Sequence, residues 1–169
     1  MDALAALLRI VHIFSGVAWV GGVLFMVAFV SPAARAAGPT AGPFMGSLLL
    51  KTRLVTFFPL AGGLTVLSGL ALYGYFGYFR APFVTLGWSM LTIGVAAGLL
   101  AFGQGMGSSA PKAKRMKELA SIAAAKPGPP PPEVANEMAQ LSVKLDRSAR
   151  VTLVLMVITL LGMTTFRYL

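Results

Sequence analysis

The chain has 169 residues, 57% of them hydrophobic and only 11% charged, with a formal net charge of +9 and no cysteine; a soluble domain carries roughly 25% charged residues. This composition excludes an ordinary soluble globular domain. The missing cysteine excludes disulfide frameworks, iron-sulfur clusters, thiolate-ligated or covalently attached haem, and zinc sites built on thiolates.

A hydrocarbon core about 30 Å thick takes about 20 apolar residues at 1.5 Å each, and four stretches reach that length with no aspartate or glutamate in them. The first runs from about Leu4 to Val30, interrupted only by Arg9 and His12, and should end where Ser31-Pro32 breaks the helix. Met1-Asp2 supplies none of the positive charge that a signal peptide carries, so this segment reads as a retained helix. The second runs from about Leu54 to Tyr78 and holds Pro59 and several glycines, which membrane helices tolerate where neighbours pack closely. The third runs from about Phe83 to Phe102, after a turn at Arg80-Ala81-Pro82. The fourth runs from about Val151 to Tyr168. No internal repeat is evident.

Between the third and fourth spans, residues 108–149 carry two helix-forming segments, with Met116, Leu119 and Ile122 or Ala123 on one and Val134, Met138, Leu141 and Leu145 on the other. The proline-rich tip at 127–132 separates them, so the region reads as a helical hairpin prolonging spans three and four. It is either a docking element or a solvated spacer near lipid headgroups. Lysine and arginine are retained on the cytoplasmic side during insertion. Eleven of the cations, from Arg35, Lys51 and Arg53 to the Lys112–Arg150 group, fall on the hairpin's side, and only Arg9, Arg80 and Arg167 on the other. The expectation is an all-α integral membrane four-helix bundle of a bacterial inner membrane, with both termini outside and the hairpin in the cytoplasm. The cations are spread over loop ends without aromatic interleaving, so the basic charge reports topology and not nucleic-acid binding.

Ionisable side chains inside a bilayer are costly, and one found there marks a functional site by default. The candidate is His12, the single histidine of the chain. On a helix it shares a face with Ser15, Gly16, Trp19, Gly22 and Met26, and the glycines admit either a neighbouring backbone or a flat ligand. That face is a packing seam or a cofactor site. At 1.5 Å per residue, His12 lies about 12 Å below Leu4, Met90 about 10 Å below Phe83 and Met163 about 8 Å below Tyr168, with Gly69 at the same level contributing space. Imidazole with one thioether is an axial pair for b-type haem, and imidazole with two thioethers suits cuprous copper; methionine in an apolar bundle is also ordinary core filler. Arg9, one turn outward of His12, is placed to neutralise haem propionates or simply to snorkel. Tyr73, Tyr75, Tyr78, Trp88 and Tyr168 suit an aromatic belt at the membrane surface.

The first span, from Leu7-Leu8-Arg9-Ile10-Val11-His12 through Trp19-Val20-Gly21-Gly22 to Pro32-Ala33-Ala34-Arg35, resembles the opening helix of the copper resistance protein D-like superfamily of small bacterial membrane proteins. The shared pattern is histidine, six residues, then Trp-x-Gly-Gly. That superfamily resembles in turn the HemJ-type protoporphyrinogen oxidases, four-helix membrane proteins whose first-helix histidine is implicated in binding b-type haem. Leu67-Ser68-Gly69-Leu70 and the closing Arg167-Tyr168-Leu169 are similar as well. The resemblance implies haem b on His12, to which the helix spacing adds Met90 or Met163 as a sixth ligand and Arg9, Gly16 and Trp19 around it. Its role would be that of an electron carrier or accessory subunit, beside a redox partner or a second copy of the chain, and not of a stand-alone enzyme. Copper handling and a cofactor-free structural subunit are the alternatives.

Overall fold

The computed structural model describes residues 2–80, 83–125 and 128–169, and no strand occurs among them. Ala81 and Pro82 of the expected turn, and Lys126 and Pro127 at the proline-rich tip, lie outside the described residues. The helices are α1 (Ala3–Phe25), α2 (Ser31–Ala37), α3 (Gly42–Lys51), α4 (Leu54–Tyr75), α5 (Leu86–Gln104), α6 (Ala110–Ala124) and α7 (Pro132–Thr165). Four continuous helical stretches, Ala3–Ala37, Leu54–Tyr75, Leu86–Ala124 and Pro132–Thr165, are long and apolar enough to cross a membrane. Two starts are capped as the residue types dictate: Asp2 accepts from the Ala5 amide at 3.0 Å and Thr85 from the Trp88 amide at 3.1 Å. The cap at Thr85 puts Phe83 and Val84 outside the helix that the sequence suggested they begin. At the other end of α4, Gly77 takes φ +76°, and the helix stops at Tyr75 instead of reaching Tyr78.

Ser31-Pro32 does not break the first helix. Residues Met26–Val30 form a wide π turn, in which the Ser31 amide donates to the Met26 carbonyl five residues back, and the helix then continues to Ala37. Proline lacks an N–H and crowds the carbonyl four residues earlier; a widened turn immediately before it absorbs both defects. The same device recurs at Gly105–Ser109, where the Ala110 amide donates to the Gly105 carbonyl and Pro111 follows. The first helix finally ends at Gly38, whose φ of +59° suits glycine.

The helices associate as two antiparallel pairs, α1 with α4 and α5 with α7, and contact between the pairs is sparser. In the α5/α7 pair the backbones touch. A Cβ on Gly94 would sit 3.2 Å from the Gly162 Cα, one on Gly162 would sit 2.9 Å from the Gly94 Cα and against the Met90 carbonyl, and Gly87 meets the Phe166 carbonyl. Small residues are the means by which membrane helices approach this closely. Trp19, Val23, Ala61, Ala101 and Met156 form the core that joins the two pairs. Trp19 packs edge-to-face on Phe102 with ring centroids 6.0 Å apart. Tyr73, read from sequence as a belt residue, is buried, and its hydroxyl lies 2.8 Å from Thr92 Oγ1, tying α4 to α5.

A second core lies at the end where α6 turns into α7. Leu49 of α3 packs with Met116 and Ala120 of α6, flanked by Met138, Leu141 and Leu145 of α7. The buried face of α6 is Met116, Leu119 and Ala120, while Ile122 is 49% exposed. Here α3, a helix the sequence reading left unassigned, covers the hairpin with the chain's own residues. Arg115 adds a bidentate pair to Glu137 across the hairpin, at 2.8 and 2.9 Å, holding the Glu137 carboxyl below its usual range.

Candidate functional site

His12 sits half-buried on α1, facing α4. Its Nδ1 is 2.8 Å from the carbonyl oxygen of Thr65. A carbonyl only accepts, so the proton of the neutral ring belongs on Nδ1 and the lone pair on Nε2. Ser68 Oγ stands 3.5 Å from the same nitrogen, with its own proton directed to the Leu64 carbonyl at 2.5 Å. The ring enters α4 at Gly69: a Cβ there would lie 2.7 Å from Cε1, 3.0 Å from Nδ1 and 3.7 Å from Nε2, so the glycine's missing side chain is the space the imidazole occupies. Farther along, Ser15 Oγ donates to the Val11 carbonyl at 2.6 Å and stands 3.0 Å from Thr65 Oγ1.

The remaining predicted residues divide between the two helix pairs. Gly16 and Trp19 continue the seam: Gly16 faces the Thr65 methyl, and the Trp19 ring fills the gap over Gly62, which a Cβ would close to 3.0 Å. Trp19 is thus part of the core. Arg9 lies over the Phe76 ring with its guanidinium carbon 5.0 Å from the centroid, a cation-π arrangement at the helix ends. Met90 and Met163 are half-buried on the α5/α7 pair, where the Met90 carbonyl abuts Gly162. Trp19 and Met156 share one core cluster. The polar partners of the ring are the Thr65 carbonyl and Ser68 Oγ. Among the described residues, no three His, Asp or Glu side chains group as a metal site.

Thr65 and Ser68 were missed as ring partners. Their signal was present, since Thr65, Ser68 and Gly69 fall three and four residues apart on one face of the second span. A buried hydroxyl and amide cluster on the other pair was missed too. Gln104 Nε2 donates to Ser148 Oγ at 2.5 Å, Ser109 Oγ lies 2.9 Å from that same oxygen, and Thr152 donates to Gln104 Oε1.

At the hairpin end a cavity of about 1090 Å³ opens between the two pairs, and Trp19 is the only predicted site residue in its wall. Asp146 and Arg35 meet on it. Arg35 Nη1 is 3.0 Å from Asp146 Oδ1 and Arg150 Nε is 3.0 Å from Oδ2. Oδ1 is buried and the Arg35 group approaches it off the hydrogen-bonding direction, so the contact is an ion pair first. Burial pushes the Asp146 carboxyl up, but Arg35, Arg150 and the Ser31 hydroxyl together outweigh it and hold the group below the usual carboxylate range.

Fold and site together define a multi-pass, all-helical membrane protein, with one imidazole set into a glycine notch and an apolar cavity at the opposite end. Comparison of the chain with models of protein families, with curated proteins and with solved structures finds no match in any of the three.

Proposed function

We propose that this protein is an electron-transfer protein of the bacterial inner membrane that holds one b-type haem through Nε2 of His12, as a subunit or partner of a redox complex. The observation that carries the reading is the 2.8 Å approach of His12 Nδ1 to the Thr65 carbonyl. Ligating histidines almost always give their second ring nitrogen to a backbone carbonyl or carboxylate, which sets the tautomer and aims the lone pair. Met90 or Met163, on the α5/α7 pair, would be the second axial donor, and Arg9 supplies positive charge one turn outward. When bound, haem supplies one-electron chemistry. The closed α1/α4 seam leaves no room for a macrocycle between those helices, and Nε2 is the ring nitrogen farther from Gly69. The ligand side of the ring is therefore the side turned from α4. The resemblance of the first helix to the copper resistance protein D-like pattern supports the same residue. The cation count supports a four-helix bundle with the hairpin in the cytoplasm and both termini outside.

A second reading is a cofactor-free structural subunit. It is favoured by the polar string of His12, Ser15, Thr65 and Ser68, whose members satisfy one another and neighbouring carbonyls. Copper on His12 has weaker support, because both methionines sit on the other helix pair. Absorbance spectra of the detergent-purified protein, oxidised and dithionite-reduced, with a pyridine haemochrome assay and metal analysis, separate the three. Stoichiometric haem that is lost in His12→Ala supports electron transfer, copper without a haem spectrum supports metal handling, and neither supports the structural subunit.

A further inference from the structure

The hairpin-end cavity is apolar along most of its wall, with a charged group partway along it. Its charged lining consists of Arg35, Lys51 and Asp146, and its inner wall reaches Trp19, Val23 and Phe102. From Arg35 back to Trp19 is roughly 24 Å along the helix, more than one leaflet of a hydrocarbon core about 30 Å thick. The volume of about 1090 Å³ is slightly above the roughly 300–1,000 Å³ of pockets that take drug-sized ligands. Arg35 and Lys51 of the lining, with Arg150 beside them, stand against the one Asp146 carboxylate, so this part of the cavity carries uncompensated positive charge. The Arg35 side chain stays 52% exposed beside Asp146, leaving guanidinium donors for a second anion. Arg35 and Asp146 stand partway along the cavity, near where the apolar stretches give way to the hairpin, and the wall continues past them to Ala124, Pro130 and Ala135.

We propose that this cavity binds one anionic phospholipid drawn from the adjoining leaflet, with its phosphate on Lys51 and Arg35 and its acyl chains running toward Trp19. The lipid fills the space that the sparse contact between the two helix pairs leaves open, and so completes their association. Charge complementarity selects an anionic headgroup over a zwitterionic one, and the depth of the cavity requires hydrocarbon chains.

The test reconstitutes the full chain in phosphatidylcholine vesicles containing a minority of phosphatidylglycerol, extracts it in mild detergent, and counts retained lipid by native mass spectrometry. Gly46 lines the cavity and a Cβ added there meets nothing within 4 Å, so Gly46→Trp plugs the space without colliding at its root. Retention of one phosphatidylglycerol per chain by the native protein, with Gly46→Trp and Lys51→Gln each lowering retention about tenfold, is the expected result. No retained lipid, equal retention of phosphatidylcholine, or a second copy of the chain bound through this face in place of lipid overturns the proposal. Should Gly46→Trp fail to fold, Lys51→Gln decides alone: unchanged retention in it is contradictory.

Discussion

The imidazole of His12 occupies the volume that a side chain on Gly69 would fill, with its Cε1 only 2.7 Å from where a Cβ would stand. Gly69→Ala therefore has to expel the ring from α4 or part the helices. Overpacking of this kind costs about 1–3 kcal/mol, to be read as a lowered unfolding temperature in detergent. Gly16→Ala is the matched control. Its Cβ meets only the Thr65 methyl at 3.6 Å, an ordinary contact, and glycine to alanine within a helix gains up to about 1 kcal/mol, so stability should hold or rise.

The α5/α7 pair makes a sharper version of the same test, because the obstructing atoms are backbone. Gly162→Ala, facing the Gly94 Cα at 2.9 Å and the Met90 carbonyl, should destabilise by about 2 kcal/mol or more, since a main chain yields less readily than a side chain. Gly103→Ala, which meets nothing within 4 Å, should be neutral or stabilising. Thermal unfolding of the two variants side by side checks the predicted order.

Asp146 joins the two helix pairs through Arg35 and is held below the usual carboxylate range. A carboxylate with a depressed folded-state pKa contributes stability above its unfolded pKa of about 3.9 and loses it as pH falls through the lower folded value. Asp146→Asn should thus unfold about 2–4 °C below the native chain at pH 7. The gap should narrow below about pH 5 and close once the native carboxyl is itself protonated. Unfolding midpoints of both proteins across that range supply the check; a gap independent of pH would remove the ion pair from the account. The exposed Arg115–Glu137 pair, by contrast, is screened by solvent and should add little to stability.

Ser148 is buried at the centre of the Gln104 cluster. Ser148→Ala takes the partner of the Ser109 hydroxyl and leaves the Gln104 amide only its longer bond to the Ser148 carbonyl at 3.3 Å, at a cost of about 1–3 kcal/mol. Amide hydrogen exchange of residues near the 105–109 π turn should rise in this variant. Unaltered protection there would show that the turn stands without the cluster.

The apolar stretches and the approach of His12 to Gly69 were legible in the sequence because both follow from the helical rise alone. Helix interruption was not. Ser31-Pro32 carries a break signal, and whether a proline breaks a helix depends on whether the preceding turn can widen, as Met26–Val30 does. Tyr73 was misread for a similar reason: aromatic residues near a span's end suit a surface belt, and its burial is decided by Thr92 on a neighbouring helix. The Asp146–Arg35 pair had no signal in the sequence, because residues more than a hundred positions apart leave no local pattern. Thr65 and Ser68 were recoverable from their spacing to Gly69.

The measurement that bears most directly on the central claim is the reduced-minus-oxidised absorbance spectrum of the purified native chain beside His12→Ala and Thr65→Val, the last retaining the carbonyl that orients the ring. The account predicts about one haem per chain in the native protein and in Thr65→Val, and none in His12→Ala, with all three inserted in the membrane. Haem content unchanged by His12→Ala, or a colourless native protein from cells supplied with haem, would contradict it.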